Sequence, residues 1–294
     1  MPKNRNVKKY CFIVNPLSGG KDKKSILEAI EWHRFPHEIR FTERPGHATE
    51  IARETDADIV VAVGGDGTVS EVAQGLVGTG KILGILPCGS GDGLALHLGI
   101  SRKPEFALQT LQEAHTATMD YGLVDNRPFF CTTGVGLDAE VAWQFDKAKT
   151  RGLWTYISLA WQIWQHFTPD TYTIDVDGKT LVTPAVFVTV GNANQWGNQA
   201  RICSLASVTD GLLDLTIVKP FRTWEIPVLA TKLLTGFAHT SRRTEMLRGK
   251  RITIRRGFMA PAHYDGDPCM KGTEIVVEAV PSALKVIVPE GRKI

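Results

Sequence analysis

Apolar and polar positions alternate in regular blocks through the first 115 residues. Residues 9–15 (KYCFIVN) form a short apolar run that ends in a Pro/Ser/Gly segment, and residues 23–32 have helical composition. A second run at 37–42 precedes a helical stretch around 47–54. Residues 59–63 (IVVAV) are continuously apolar, the pattern of a strand buried on both faces of a parallel sheet. Residues 68–77 read as a helix, 82–86 as a fourth strand and 105–114 as another helix. Strands alternating with helices predict an open α/β layered domain.

Beyond about Asp120 the rhythm changes. Residues 129–133, 172–176, 185–190, 212–218, 251–255, 274–279 and 284–288 read as strands with no helix after each one. That pattern predicts a second, mainly antiparallel β domain, interrupted by helical segments at 139–167 and 223–240. The expected division is 1–120 and 121–294, with the last residues free to return to the first domain.

Glycines punctuate the first domain where its strands end. Gly64-Gly65-Asp66-Gly67-Thr68 lies between the third strand and its helix, Asn15-Pro16-Leu17-Ser18-Gly19-Gly20-Lys21 follows the first strand, and Pro87-Cys88-Gly89-Ser90-Gly91-Asp92-Gly93 follows the fourth. A Gly-rich turn entering a helix presents backbone N–H groups and the positive end of the helix dipole, which together suit phosphate. One such turn is equally well a tight connection without a ligand. Three at the carboxyl ends of neighbouring parallel strands converge on one crevice. They match neither common phosphate motif: Asn15 and Asp22 break the Walker A pattern, and G-x-G-x-x-G is absent after the first strand.

Composition narrows the class. The 294 residues are 43% hydrophobic and 22% charged with a net charge of +3, an ordinary globular balance that does not call for nucleic acid. Residues 219–256 are locally basic, with ten Lys/Arg against Glu225 and Glu245. Such a tract is either a solvated face or a surface for anionic lipid headgroups. Five scattered cysteines and eight histidines show no disulfide or metal-ligand spacing. The basic start lacks a signal-peptide core and no run reaches the length of a membrane span, so a cytoplasmic location is expected.

IVNPLSGGK, GGDGTVSEVAQGL and LPCGSGDGLALHLGI, in this order, resemble the diacylglycerol kinase catalytic-domain family, which includes bacterial lipid kinases and sphingosine kinases. FTERPGHATEIA, Asp120-Tyr121-Gly122, GVGLDA at 134–139, VTDGLLDLTIV and Tyr264-Asp265-Gly266-Asp267 extend the likeness over nearly the whole chain. The resemblance implies an N-terminal NAD-kinase-like α/β nucleotide domain and a C-terminal β-sandwich-like domain. It implies ATP and Mg²⁺ as cofactors, and a lipid hydroxyl, on diacylglycerol or a sphingoid base, as acceptor. Gly64, Gly65, Gly67, Thr68, Gly89, Ser90 and Gly91 would hold the ATP phosphates, with Asn15, Ser18 and Thr42 bordering the nucleotide. Asp210 matches a family aspartate in a water-mediated magnesium network, and Asp66 and Asp267 are rival catalytic bases. Peripheral contact with an anionic membrane at its inner face, and a homodimer, are compatible with this reading.

Two positions depart from the family pattern. Asp92 stands where asparagine is usual, placing an anion near phosphates, and Asp267 replaces glutamate, shortening a candidate base by one methylene. Both keep a catalytically inactive lipid- or nucleotide-binding relative open as an alternative. NAD kinase and phosphofructokinase share the GGDG loop and are weaker alternatives. The GSGxGLA loop leans toward the sphingosine-kinase-like branch. One more segment is open: LWTYISLAWQIWQHF (153–167) places Trp154, Ile157, Trp161 and Trp164 on one helical face, either as core between the domains or as a lipid- or membrane-contact face flanked by Lys147, Lys149 and Arg151.

Overall fold

The computed structural model describes residues 8–18, 23–33, 36–148, 153–292 and 294. Gly19, Gly20 and Lys21 of the first glycine loop, Asp22, and the flanking Lys149 and Arg151 lie outside the described residues. The chain divides into two compact units, one of residues 1–119 and 283–294 and one of residues 120–282.

The first unit is built from β1 (Tyr10–Val14), α1 (Lys23–Trp32), β2 (His37–Phe41), α2 (His47–Glu54), β3 (Ile59–Gly64), α3 (Asp66–Leu76), β4 (Ile82–Pro87), α4 (Gly93–His97) and α5 (Pro104–Glu113), followed by the start of β5 (Thr116–Val124). Its strands run parallel in the order β2-β1-β3-β4. The chain's last strand then adds Lys285 and Val286 parallel to Ile82 and Leu83 of β4. Every residue of β1, β3 and the Leu83–Pro87 part of β4 is buried, as continuous apolar runs covered on both faces require. The five-residue α4 has too short a periodic pattern to be read from sequence.

The second unit holds the rest of β5, then β6 (Arg127–Phe129), β7 (Thr132–Gly136), α6 (Leu137–Asp146), α7 (Leu153–Trp164), β8 (Asp170–Val176), β9 (Lys179–Ala185), β10 (Phe187–Gly191), β11 (Leu213–Val218), α8 (Ile226–Thr235), β12 (Thr244–Gly249), β13 (Arg251–Arg255), β14 (Ala260–Tyr264), β15 (Asp267–Lys271) and most of β16 (Glu274–Ile287). Two sheets face each other. One is antiparallel in the order β12-β11-β10-β7-β14-β15, and the other runs β9-β8-β13-β16 with β5 and β6 beside β16. Ile174, Ile252, Ile254 and Val277 from one sheet pack with Val188, Leu215, Ile217 and Ala262 from the other in a single apolar core.

Three expectations need correction. The strand expected at 129–133 is broken, because the N–H groups of Phe130, Cys131 and Thr132 all turn to the Asp265 carboxylate. The strands expected at 274–279 and 284–288 are one strand, β16, in spite of Pro281 and the positive φ of Ser282. The helical segment expected at 139–167 is two helices, α6 and α7.

Candidate active site

The order β2-β1-β3-β4 sets the loops after these strands side by side at one end of the first unit's sheet. Backbone bonds lock them: the Asn15 N–H donates to Val63 O at 3.2 Å, Thr42 N–H to Val14 O at 3.0 Å and Cys88 N–H to Gly64 O at 2.9 Å. The Asn15 side chain stitches the first loop to the second, with Nδ2 donating to Thr68 Oγ1 at 3.2 Å and Oδ1 accepting from the Leu17 N–H at 2.9 Å. Ser18 closes this turn by donating its hydroxyl to Asn15 O at 3.0 Å. Asn15, Ser18, Thr42, Gly64, Gly65, Gly67, Thr68, Gly89, Ser90 and Gly91 thus share one edge of the first unit.

The loop glycines divide into two kinds. A Cβ on Gly64 would lie 2.4 Å from the Thr68 side chain, and one on Gly89 would lie 2.5 Å from Gly65 Cα, so close loop-to-loop packing requires both. Gly67 is exposed, and a Cβ there would meet nothing within 4 Å. The protein's own packing therefore gives no reason for glycine at 67. Clearance in front of the first turn of α3, where N–H groups point outward, is what a phosphate group needs.

Asp66 has a structural task. Its Oδ2 accepts the Asp92 N–H at 2.8 Å and its Oδ1 accepts the Gly93 N–H at 2.6 Å, so the second glycine loop clamps the third. Asp92 is buried at φ 51°, ψ 42°, a left-handed conformation that Asp and Asn tolerate better than most residues. Its Oδ1 accepts the Gly89 N–H at 2.9 Å and its Oδ2 lies 3.1 Å from Arg102 Nε. Arg102 also donates to the Ser90 and Gly91 carbonyls. The anion that departs from the family pattern is thus matched by a cation from beyond α4. Arg102 was not legible as its partner, because the short helix α4 and four further residues separate the two.

Asp210 and Asp267 belong to the second unit. Asp210 is exposed; its Oδ1 accepts the Leu212 N–H at 3.1 Å, and its Oδ2 is 3.5 Å from Arg248 Nη1. The same guanidinium holds buried Asp214 at 2.8 Å. Burial pushes the Asp214 carboxyl above its ordinary range, partly offset by Arg248. Asp120 fixes this loop: its buried carboxylate accepts the Gly211 N–H at 2.7 Å and the Ser282 N–H at 2.6 Å. Asp267 opens β15 directly after a two-residue Asp265-Gly266 turn and is exposed. Asp265 is the anchor of that hairpin through its bonds to residues 130–132.

Among the described residues no three His, Cys, Asp or Glu side chains cluster as a metal site. Magnesium commonly keeps several waters and takes one or two carboxylates together with substrate phosphates. Exposed Asp210 fits that mode, while a closed all-protein cage does not. A buried polar group also went unassigned in the sequence. Asp138 Oδ2 accepts from Thr189 Oγ1 at 2.8 Å and lies 3.3 Å from His263 Nε2, which braces α6 against β10 and β14. Its residues come from three separate elements, so no local spacing signals it.

The aromatic stripe of α7 is divided between exposed and packed residues. Trp154 is 82% exposed and Trp161 48%, whereas Trp164 stacks on Phe221 with ring centroids 4.6 Å apart. The basic tract is largely neutralised within the fold: Lys219 pairs with Glu245, Arg243 with Glu225, Arg251 with Glu278 and Arg255 with Glu274. Buried Arg256 donates to backbone carbonyls of residues 260, 261, 271 and 272. No helix among the described residues is long and apolar enough to cross a membrane.

Comparison with known proteins now bears on this geometry. The family model described as the diacylglycerol kinase catalytic domain matches residues 9–124, and the YegS C-terminal NAD kinase beta sandwich-like domain matches residues 131–288. A diacylglycerol kinase of Mycobacterium tuberculosis is 29% identical over 310 residues, covering 98% of this chain and 97% of that protein. A diacylglycerol kinase of Bacillus subtilis is 26% identical over 273 residues, covering 89% and 90%. Two solved structures share the fold. A diacylglycerol kinase from Bacillus anthracis superposes with a TM-score of 0.74 at 19% identity over 96% of this chain and 97% of that one. An NAD kinase from Archaeoglobus fulgidus in complex with ATP superposes with a TM-score of 0.56 at 15% identity over 96% and 94%. The chain belongs to the diacylglycerol kinase catalytic-domain family, with an NAD-kinase-like α/β domain and a β-sandwich-like domain as expected. Membership supports a phosphotransferase, and the names of its relatives support a lipid kinase.

Proposed function

We propose that this member of the diacylglycerol kinase catalytic-domain family is an ATP-dependent lipid kinase that moves the γ-phosphate to a lipid hydroxyl, on diacylglycerol or a sphingoid base. The observation that carries the reading is the cradle in which Asp66 clamps two glycine loops and Gly67 leaves open space before α3. Phosphoryl transfer asks mainly for positioning and charge stabilisation. Backbone N–H groups at the start of α3 and at Ser90 and Gly91 would bind and orient the phosphates, with Gly89 letting the loops close up, Thr68, Ser90 and Asn15 at their border, and Ser18 and Thr42 flanking the nucleotide. When bound, Mg²⁺ would neutralise phosphate charge, and Asp210 would reach it through water.

Between the two rival bases, Asp267 is the better candidate. Both Asp66 oxygens accept backbone N–H groups, so a proton taken there would cost the clamp. Asp267 stands exposed at a hairpin tip and can accept the acceptor hydroxyl's proton as the oxygen attacks. ATP supply and a membrane-borne acceptor together favour a cytoplasmic enzyme with peripheral contact at the inner membrane face.

The inactive-relative reading rested on Asp92 and Asp267. Arg102 offsets the charge of Asp92, which weakens half of that case. The test is transfer of label from γ-labelled ATP with Mg²⁺ to detergent-dispersed diacylglycerol, monoacylglycerol, ceramide and sphingosine, with NAD as a soluble control. A labelled lipid supports the proposal. Labelled NAD, or bound ATP with no labelled acceptor, sinks it.

A further inference from the structure

Two helices of the second unit have the composition of buried elements and are not buried. In α7 (LWTYISLAWQIW) there is no charged residue, yet Trp154, Ile157 and Trp161 are exposed. In α8 (IPVLATKLLT) the sole charge is Lys232, and no residue of the helix is buried. Just before and after it, Trp224 is 69% and Phe237 56% exposed, with Val228 and Leu234 open on the helix itself. Helices that are apolar on most sides normally face protein or lipid.

The two helices share one support, and α7 reaches the segment that leads into α8. Trp164, near the end of α7, stacks on Phe221 and its Nε1 donates to Thr223 Oγ1 at 3.3 Å. Both Trp164 and Leu233 of α8 pack on one small core beneath them, formed by Val186, Phe187, Ile202, Cys203 and Val218. The other side of α7, carrying Leu159, Gln162 and Ile163, lines an open groove of about 610 Å³ against α6. The outward tryptophans are therefore neither core nor groove lining.

Charge narrows the choice of occupant. Around α8, no salt bridge among the described residues involves the side chains of Arg222, Lys232 or Arg242; the nearby Glu225 is bound by Arg243 and also feels the charge of Arg222. A second copy docking face to face would set these cations against themselves. An anionic bilayer meets both features, since tryptophan favours the headgroup boundary and basic side chains favour acidic headgroups. At 12 residues α7 is too short to span, so it would lie in the surface.

We infer that α7 and α8 form a membrane-docking platform, in which Trp154, Ile157, Trp161, Trp224 and Val228 enter the interfacial layer of an anionic bilayer beside Arg222 and Arg242. The platform's purpose rests on the lipid-kinase reading, but its binding is measured without turnover.

The experiment is co-flotation of the full chain with phosphatidylcholine vesicles and with vesicles of equal parts phosphatidylcholine and phosphatidylglycerol, with far-UV circular dichroism as the check on folding. Binding to the mixed vesicles should fall at least about tenfold in Trp154→Gln/Trp161→Gln and, separately, in Trp224→Gln/Val228→Gln. Arg222→Gln should weaken binding to mixed vesicles about fivefold and leave the neutral ones unchanged. No binding of the wild type to either vesicle, or binding that both tryptophan variants retain, would overturn the inference. So would a wild-type dimer that those variants split into monomers, because the face would then belong to a second copy. Vesicle binding without any lipid phosphorylation would instead count against the kinase reading alone.

Discussion

At the scale of single residues, the glycine-loop motifs were readable but the jobs inside them were not. The sequence marks Asp66 and Asp267 equally as acids in family motifs. Only the fold separates a carboxylate spent on two backbone N–H groups from one exposed at a hairpin tip. Asn at position 66 would turn an amide donor toward an N–H donor. Asp66→Asn should therefore lower unfolding free energy by about 1–3 kcal/mol as well as abolish transfer. Asp267→Asn should leave unfolding within about 0.5 kcal/mol of wild type while slowing transfer at least about a hundredfold. Denaturant titrations beside kinetics distinguish the two. Equal stability losses in both variants would contradict the assignment. The glycines separate in the same way. Gly67→Ala should fold as well as wild type, or up to about 1 kcal/mol better, yet bind ATP at least about tenfold more weakly by calorimetry. Gly89→Ala must push its Cβ against Gly65 Cα and should destabilise the fold by about 1–3 kcal/mol.

Element by element, legibility followed burial. The continuous runs of β1, β3 and β4 are strands because both their faces are covered, and composition alone reports that. The strands β9, β14 and β15 escaped notice because each carries a proline, Pro184, Pro261 or Pro268, which interrupts the apolar pattern of a strand. The break between β6 and β7 was hidden for another reason: its cause, Asp265, lies more than 130 residues away. That aspartate sits at φ 48° before Gly266 at φ 91°, a pair of left-handed conformations that matches a tight two-residue hairpin turn. Asp265→Ala would strand three backbone N–H groups and should cost about 3 kcal/mol or more of unfolding free energy. Hydrogen exchange should then quicken at Cys131 and Thr132. Unchanged exchange there would show that water replaces the carboxylate without loss.

At the scale of the molecule, the change of pattern near residue 120 pointed to an α/β domain followed by a mainly antiparallel β domain, and the family resemblance implied that the second is β-sandwich-like. It could not foretell how charge is disposed. The basic tract at 219–256 reads as a free patch in one dimension, whereas the fold pairs much of it with Glu225, Glu245, Glu274 and Glu278. These and other contacts give stability a definite pH dependence. Glu38 is held below its ordinary range by the Thr55 hydroxyl, Asp177 by the Lys250 and Arg251 N–H groups, and Glu225 by Arg243. A carboxyl whose folded value is depressed stabilises the fold above its unfolded value and loses that stabilisation as pH falls through the folded one. Asp214, raised by burial, works in the opposite sense. Glu50 is lowered as well, by Arg44, and with four depressed carboxyls against one raised the melting temperature should fall between pH 7 and about pH 3. A melting temperature that rises on acidification would show that Asp214 dominates.

The claim on which the rest depends is phosphate transfer from ATP to a lipid hydroxyl through the exposed aspartate. The most direct measurement is Mg²⁺-dependent incorporation of γ-phosphate label into dispersed lipid, with wild type beside Asp267→Asn and ATP binding followed in both. The account predicts labelled lipid from the wild type and at least a hundredfold less, about the span of general-base catalysis, from a variant that still folds and binds ATP. Bound ATP with no labelled lipid from the wild type, or full activity in the variant, would contradict it.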